Sequence, residues 1–432
     1  MLEKLFKVEQ NGSNVKTEVM AGLTTFMTMA YIIIVNPLIL GDAGMPFGAV
    51  MVATVTSAAV ATLLMGLLAN YPFALAPGMG LNAYFAYTVV LGMGLSWQAA
   101  LAAVFISGVI FLLLTLTKAR EAIVNAIPLS LKLAVSAGIG LFIALIGFKN
   151  AGIVQANPNV LVELGDFSQP AVVLAVIGLV ITGFLVVKKV KGSLLLGILI
   201  TTIIGIPMGV TDVSNFKLVS MPPPVGETFG AFTIGFKEVF TFGIIPIIFA
   251  FTFVDMFDTI GTLVGVSSKA GMLDEKGHLP KANRALLSDS LGTIFGAVMG
   301  TSTVTTYVES ASGVAEGGRT GLTALVVSGL FLLSLFFAPL VGIVPSAATA
   351  PVLIIVGIFM MEPVMRIDFT DYLEAIPAFL AIVMMPFTFS IAEGIVFGVL
   401  AYTVLRALIG RFQDVSLTMW VLSILFVIRF FV

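Results

Sequence analysis

IIPIIFAFTFVDMFDTIGTLV, residues 244–264, is apolar and long enough to cross a bilayer, yet it carries Asp255 and Asp258. An ionised carboxylate in hydrocarbon costs several kcal/mol or gives up its charge, so acids at such depth persist where they face a polar cavity or a partner. The two aspartates are three residues apart, which puts them on one face of a helix. A third acid, Glu309, closes the β-branched part of a second run, GTSTVTTYVESASG (residues 300–313). Two acids on one face and a third on a separate segment predict a small polar site inside an apolar protein. The competing reading makes them ties between helices or residues near a membrane surface. The depth of Asp255 and Asp258 favours function.

Composition sets the class. Of 432 residues 59% are hydrophobic and 10% charged, against about a quarter charged in soluble proteins. Mean hydropathy is +1.13, which predicts an all-α polytopic membrane protein. A net charge of -2 without a basic tail excludes nucleic acid as a partner. With no cysteine, disulfides and thiolate metal sites are excluded. The single histidine, His278, lies in the charged stretch LDEKGHLPKANR and reads as a solvated loop residue, so neither a Ser-His-Asp triad nor a histidine metal site can be built. Residues 1–18 are too charged for the apolar core of a signal peptide.

Apolar segments of about 20 residues, fewer where broken, recur along the chain. The first half offers Val19–Leu40, Ala49–Leu68, Leu81–Leu95, Gln98–Thr117, Leu131–Phe148, Pro170–Val187 and Leu194–Val210. The second offers Val239–Val266, Ala285–Met299, a segment from Glu309 running onward, Gly321–Ile343, Ala350–Met361, Leu373–Thr388 and Ile391–Leu408. This predicts a cytoplasmic segment over 1–18, one repeat over 19–213, a linker over 214–238 and a second repeat over 239–411. Positive charge follows the count. Lys118, Arg120, Lys188, Lys189, Lys191, Lys276, Arg319, Arg366 and Arg406 all fall on the inner side when the N-terminus is inside. Seven segments per half insert with opposite orientations, as an inverted repeat requires. Residues 412–432, with Trp420 and Arg429 in an apolar stretch, suit an interfacial helix on the inner face.

Two segments are broken at matching places. In YPFALAPGMGLNAYFAY (71–87), Pro72, Pro77, Gly78 and Gly80 delay a helix until about Leu81, with Asn82 in its first turn. In GTSTVTTYVESASGVAEGG (300–318), Thr301 to Thr306 favour an extended run and a helix begins near Glu309. Each reads as a short strand followed by a half-helix, a pattern allowed at membrane depth where it lines a cavity. Their N-termini would offer free N–H groups to a ligand.

The runs AGLTTFMTMAYIIIVNP (21–37), ALAPGMGLNAYFAYTVV (74–90), FVDMFDTIGTLVG (253–265) and TSTVTTYVESASGVAEGGRTGLTAL (301–325) resemble the purine permeases of the nucleobase–cation symporter-2 group, in its AzgA-like branch. The resemblance covers nearly the whole chain. It implies 14 transmembrane segments in a 7+7 inverted repeat, with two short β-strands at segments 3 and 10. Segments 1–4 and 8–11 would form a core domain and the other six a gate. The implied site lies between the strands beside segment 8. Xanthine and uracil permeases typically carry glutamate in an Ala-Glu-His context on that segment, and FVDMFDTIGT departs from this, which favours purines such as hypoxanthine, guanine and adenine.

Carboxylates are natural acceptors for the ring N–H groups of a purine, and charge-assisted bonds are the stronger kind. Glu309 and Asp255 are assigned to the edge of the base, with Asn82, Thr306 and Tyr307 as further contacts. Phe251, Phe257, Phe85 and Tyr84 are candidates for its face, although 35 phenylalanines leave packing as a reading for each. Asp258 is assigned the coupling proton, with Asp255 as the alternative. The expected partners are a purine base and membrane lipid, with a homodimer as a further option. No cofactor is expected beyond the proton, and the expected location is the plasma or inner membrane with the N-terminus cytoplasmic. An intramembrane aspartyl protease needs acids on facing helices and a Gly-x-Gly-Asp element, which this chain lacks. A channel or anion exchanger on the same repeat architecture is the stronger rival.

Overall fold

Backbone N–H and C=O groups inside a bilayer must find partners within the protein, so a strand there needs both of its edges covered. The computed structural model describes residues 2–117, 127–214, 217–241, 245–274 and 279–429. Lys118, Arg120, Lys276 and His278 lie outside them, as do the side chains of Phe257, Lys269 and Arg429. Strands β1 (Leu75–Pro77) and β4 (Val304–Thr306) pair antiparallel, with Ala76 opposite Thr305. The ladder extends at both ends, from Gly78 N–H to Thr303 C=O (3.0 Å) and from Tyr307 N–H to Ala74 C=O (2.9 Å).

Each outer edge is closed by a threonine from a neighbouring helix. The Thr62 hydroxyl, on the helix Phe47–Leu64, accepts from Leu75 N–H (2.9 Å) and donates to Leu75 C=O (3.1 Å). The Thr293 hydroxyl, on the helix Ala282–Met299, does the same to Val304 at 3.1 Å in both directions. One device therefore serves corresponding places in the two halves of the chain.

Nine helices among the described residues are long and apolar enough to cross a membrane, with shorter apolar helices at Ser193–Gly205, Tyr372–Thr388 and Leu417–Ile428. Segment 3 is helical over Met79–Ala83 and continues as π-helix through Gly92. Small residues bring these helices together: a Cβ on Gly321 would stand 2.1 Å from the Gly66 carbonyl oxygen, so the two backbones touch.

The structure departs from the expected organisation in four places. Segment 1 is interrupted, running Val15–Met29 and then Ile32–Asp42. The helix after Glu309 does not run onward but spans only Ser310–Ala315, stopping ahead of Gly317 at φ +99°. The helix Phe232–Thr241 begins within the expected linker and runs past its end, held by Phe232 stacked on Phe105 (4.4 Å) and by Glu238, which accepts from Ser96 N–H (2.8 Å). A second pair of strands, β2 (Val154–Asn157) and β3 (Leu161–Leu164), forms a hairpin after segment 5. Asn157 Oδ1 nucleates its turn by accepting from Asn159 N–H (2.8 Å).

The described chain separates into two compact units. One comprises residues 1–112 and 148–352 and holds both membrane-depth strands. It also contains the helices Pro170–Val187 and Ser193–Gly205, which the resemblance assigns to a gate, because Leu174 and Ala175 pack with Ala347 and Ala350. The other comprises 113–147 and 353–432. Arg406 pairs there with Glu374, which also accepts from the Ser130 hydroxyl. The terminal helix Leu417–Arg429 buries Met419, Leu422 and Phe426, and Ser423 bonds Thr403 (2.8 Å). Its 13 residues are fewer than a span requires.

Candidate functional site

Where β1 meets β4, three separate segments bring polar side chains together. The helix Ile245–Lys269 passes beside β4, and the Thr305 hydroxyl donates to Asp258 Oδ2 (3.3 Å). Glu309 stands at the N-cap of Ser310–Ala315, and its Oε1 accepts from the Tyr31 hydroxyl (2.8 Å). Tyr31 sits in the break of segment 1. Asp258, Glu309, Tyr31 and Tyr307 are all within electrostatic reach of one another. Asp258 and Glu309 are partly buried residues, whereas Asp255 is fully buried.

Asp255 is placed differently. It is 0% exposed, and its Oδ2 lies 3.4 Å from the Thr293 hydroxyl, whose one proton it shares with the nearer Val304 C=O at the edge of β4 (3.1 Å). One helical turn further on, the Thr259 hydroxyl donates to Asp289 Oδ1 (2.8 Å), and both residues are fully buried. Asp255 and Thr259 on one helix therefore cross with Thr293 and Asp289 on the next, acid to hydroxyl in both directions. This cluster lies behind the strands.

The remaining expected contacts divide between framework and lining. The Asn82 amide is engaged at both ends: its Oδ1 accepts from the Ser302 hydroxyl and its Nδ2 donates to Pro77 C=O (3.5 Å). Asn82 thus ties the segment-3 helix to the strands. The Tyr307 hydroxyl donates to Pro77 C=O (2.5 Å), again a cross-tie. Phe251 is fully buried and packs edge-to-face on Tyr84 at 5.0 Å; Phe85 is equally buried. These three aromatics are packing in this structure. The Thr306 and Thr303 hydroxyls are buried beside the strand crossing without a hydrogen-bond partner among the described residues. A buried hydroxyl left so is costly unless water or a ligand meets it.

The two half-helices are not equivalent. After β1, the first helical bond runs from Asn82 N–H to Gly78 C=O (2.8 Å), so the N–H groups of Met79, Gly80 and Leu81 precede it. After β4, the N–H groups of Ser310, Ala311 and Ser312 are already taken by the carbonyls of Tyr307, Val308 and Glu309. The expectation of free N–H groups thus does not hold at the second half-helix, where a tight turn consumes them and a carboxylate stands in their place.

Sequence reasoning missed Tyr31, Thr293 and Asp289. Asp289 was open to the argument applied to Asp255, being an acid within an apolar helix. Glu18 is a contrasting case: fully buried, it accepts from Arg319 N–H (2.9 Å), Thr320 N–H (3.3 Å) and Thr323 N–H (3.2 Å). It caps the helix Gly321–Ser334 and has a structural role.

Residues 16–397 match Xan_ur_permease, a permease family. The chain is 45% identical to the adenine permease AdeP of Escherichia coli (strain K12), over 99% of this chain and 96% of that one. It is also 45% identical to the guanine/hypoxanthine permease PbuG of Bacillus subtilis (strain 168), over 99% of each. Among solved structures, the transmembrane domain of a cyanobacterium bicarbonate transporter, BicA, superposes with a TM-score of 0.63 at 15% identity, covering 88% of this chain and 97% of that one. At that identity the likeness shows a shared fold.

Proposed function

We propose, from the premise that the chain belongs to the Xan_ur_permease family of permeases, that it is a secondary active transporter importing purine nucleobases with protons. Relatives named for adenine and for guanine/hypoxanthine are equally similar to it, which supports purines as a class and leaves the preferred base to measurement. The observation that carries this reading is the convergence of two partly buried acidic residues, Asp258 and Glu309, at the strand crossing. Every purine base offers at least one ring N–H, and carboxylates aimed at such donors form charge-assisted bonds. The hydroxyls of Thr303 and Thr306 and the N–H groups of Met79 to Leu81 supply complementary contacts for the acceptor edges.

Burial supports the alternative assignment of the two aspartates, with Asp258 on the ligand and Asp255 on the proton. Asp258, only partly buried, suits the ligand. Asp255, fully buried against Thr293, suits the proton, because a carboxyl there is far cheaper to hold neutral than charged. A proton bound at Asp255 while the base sits at Asp258 and Glu309 would link both to β4 through Thr293 and Thr305. Transport then proceeds by alternating access of a core against a gate in a 7+7 inverted repeat of 14 segments, a reading supported by the matched threonine closures of β1 and β4. The N-terminus lies on the cytoplasmic side of the cell membrane, as the positive charges favour.

A channel or anion exchanger is disfavoured by the chemistry of the crossing. Among the described residues no lysine or arginine hydrogen-bonds to Asp258 or Glu309. An anion would meet two carboxylates. Competition for labelled hypoxanthine uptake tests the substrate class: guanine or adenine is expected to compete and the pyrimidine uracil is not. Equal competition by uracil would remove the purine assignment.

A further inference from the structure

Ala30 and Tyr31 form a two-residue turn between the two helices of segment 1. The helix ends at Met29 and resumes at Ile32, and the intervening turn leaves Tyr31 only 1% exposed with its hydroxyl on Glu309 Oε1 at 2.8 Å. This hydroxyl is the one side-chain hydrogen bond that Glu309 accepts among the described residues. The two segments that carry Tyr31 and Glu309 pack closely against each other. A Cβ on Gly313 would stand 2.1 Å from Thr25 Oγ1, so the helix following Glu309 presses directly on the helix preceding Tyr31.

A glutamate side chain has three rotatable bonds and loses substantial freedom when it is fixed. Unheld, Glu309 would sample several positions at the crossing, and a ligand would have to select one. We propose that Tyr31 is a positioning residue: by holding Oε1 it fixes where Oε2 stands, and so sets the acceptor that meets the N–H edge of the base. Asp258 lies within electrostatic reach of Tyr31 and Glu309, so holding Oε1 also restrains Glu309 relative to Asp258. The proposal rests on the purine-transport reading above. The simpler alternative gives Tyr31 a space-filling role in the helix break, and the hydroxyl decides between them, since a phenylalanine fills the same volume.

The test uses the full-length protein in proteoliposomes, with tritiated hypoxanthine counterflow, and compares Tyr31→Phe, Glu309→Gln and the double variant. Tyr31→Phe is expected to raise KM about tenfold, with the maximal counterflow rate kept to within about twofold. The double variant should be no weaker than Glu309→Gln alone, because the tyrosine acts through the glutamate. Replacing Tyr31 by p-aminophenylalanine, which restores a donor on the same ring, should recover most of the loss. This comparison remains decisive should the phenylalanine variant fold poorly. A Tyr31→Phe protein with the original KM, losses that multiply in the double variant, or no recovery with the amino analogue would each overturn the proposal. Normal affinity in Glu309→Gln would instead overturn the ligand site itself.

Discussion

Replacing Glu309 by Gln weakens hypoxanthine binding by about 1.5–3 kcal/mol, on the order of 10- to 150-fold. The amide keeps the shape of the side chain, but with its oxygen on the Tyr31 hydroxyl, which lies 2.8 Å from Oε1 in the native chain, it turns an NH2 donor to the base in place of Oε2, so the tyrosine no longer positions an acceptor. What is lost is the charged acceptor, the part of the bond that makes it strong. Titration of the purified protein, by calorimetry or by ligand-induced thermal stabilisation, measures this directly. Binding within twofold of the unmodified protein would remove Glu309 from the ligand site.

Replacing Asp255 by Asn has a different and larger consequence: accumulation driven by a proton gradient disappears while exchange of internal for external base persists. The asparagine resembles the neutral acid and keeps an oxygen for the Thr293 hydroxyl, which lies 3.4 Å from Oδ2 in the native chain. Packing in a site with 0% exposure is therefore preserved. Exchange needs no net proton movement, so counterflow separates coupling from binding. An Asp255→Asn protein that still concentrates purine would return the coupling role to Asp258, whose Asn variant is otherwise expected to bind substrate weakly.

How far the sequence reaches is clear from individual residues. The three acids stood out because charge in an apolar segment is expensive, and that cost does not depend on tertiary detail. The strands stood out because Pro72, Pro77 and the threonine run oppose a helix whatever surrounds them. The roles of Asp255 and Asp258 did not stand out. Three residues along a helix leave two side chains about 60° apart, a small angle on a helical wheel. That angle is enough to turn one acid to Thr293 and the other to Thr305. Tyr31 was hidden for another reason: a tyrosine in an apolar helix looks like packing until its hydroxyl meets a residue 278 positions away. The early stop of the helix after Glu309 was present in the sequence, in Gly317 and Gly318, but a half-helix was expected to continue across the membrane.

Proton-coupled purine import is the centre of this account, and uptake of tritiated hypoxanthine into proteoliposomes with an imposed pH gradient tests it most directly. With the external side acidic, internal hypoxanthine should rise transiently above the external concentration, and a protonophore should abolish the excess. Uptake that only equilibrates, unchanged when the gradient is imposed, reversed or collapsed, would contradict proton symport by this protein.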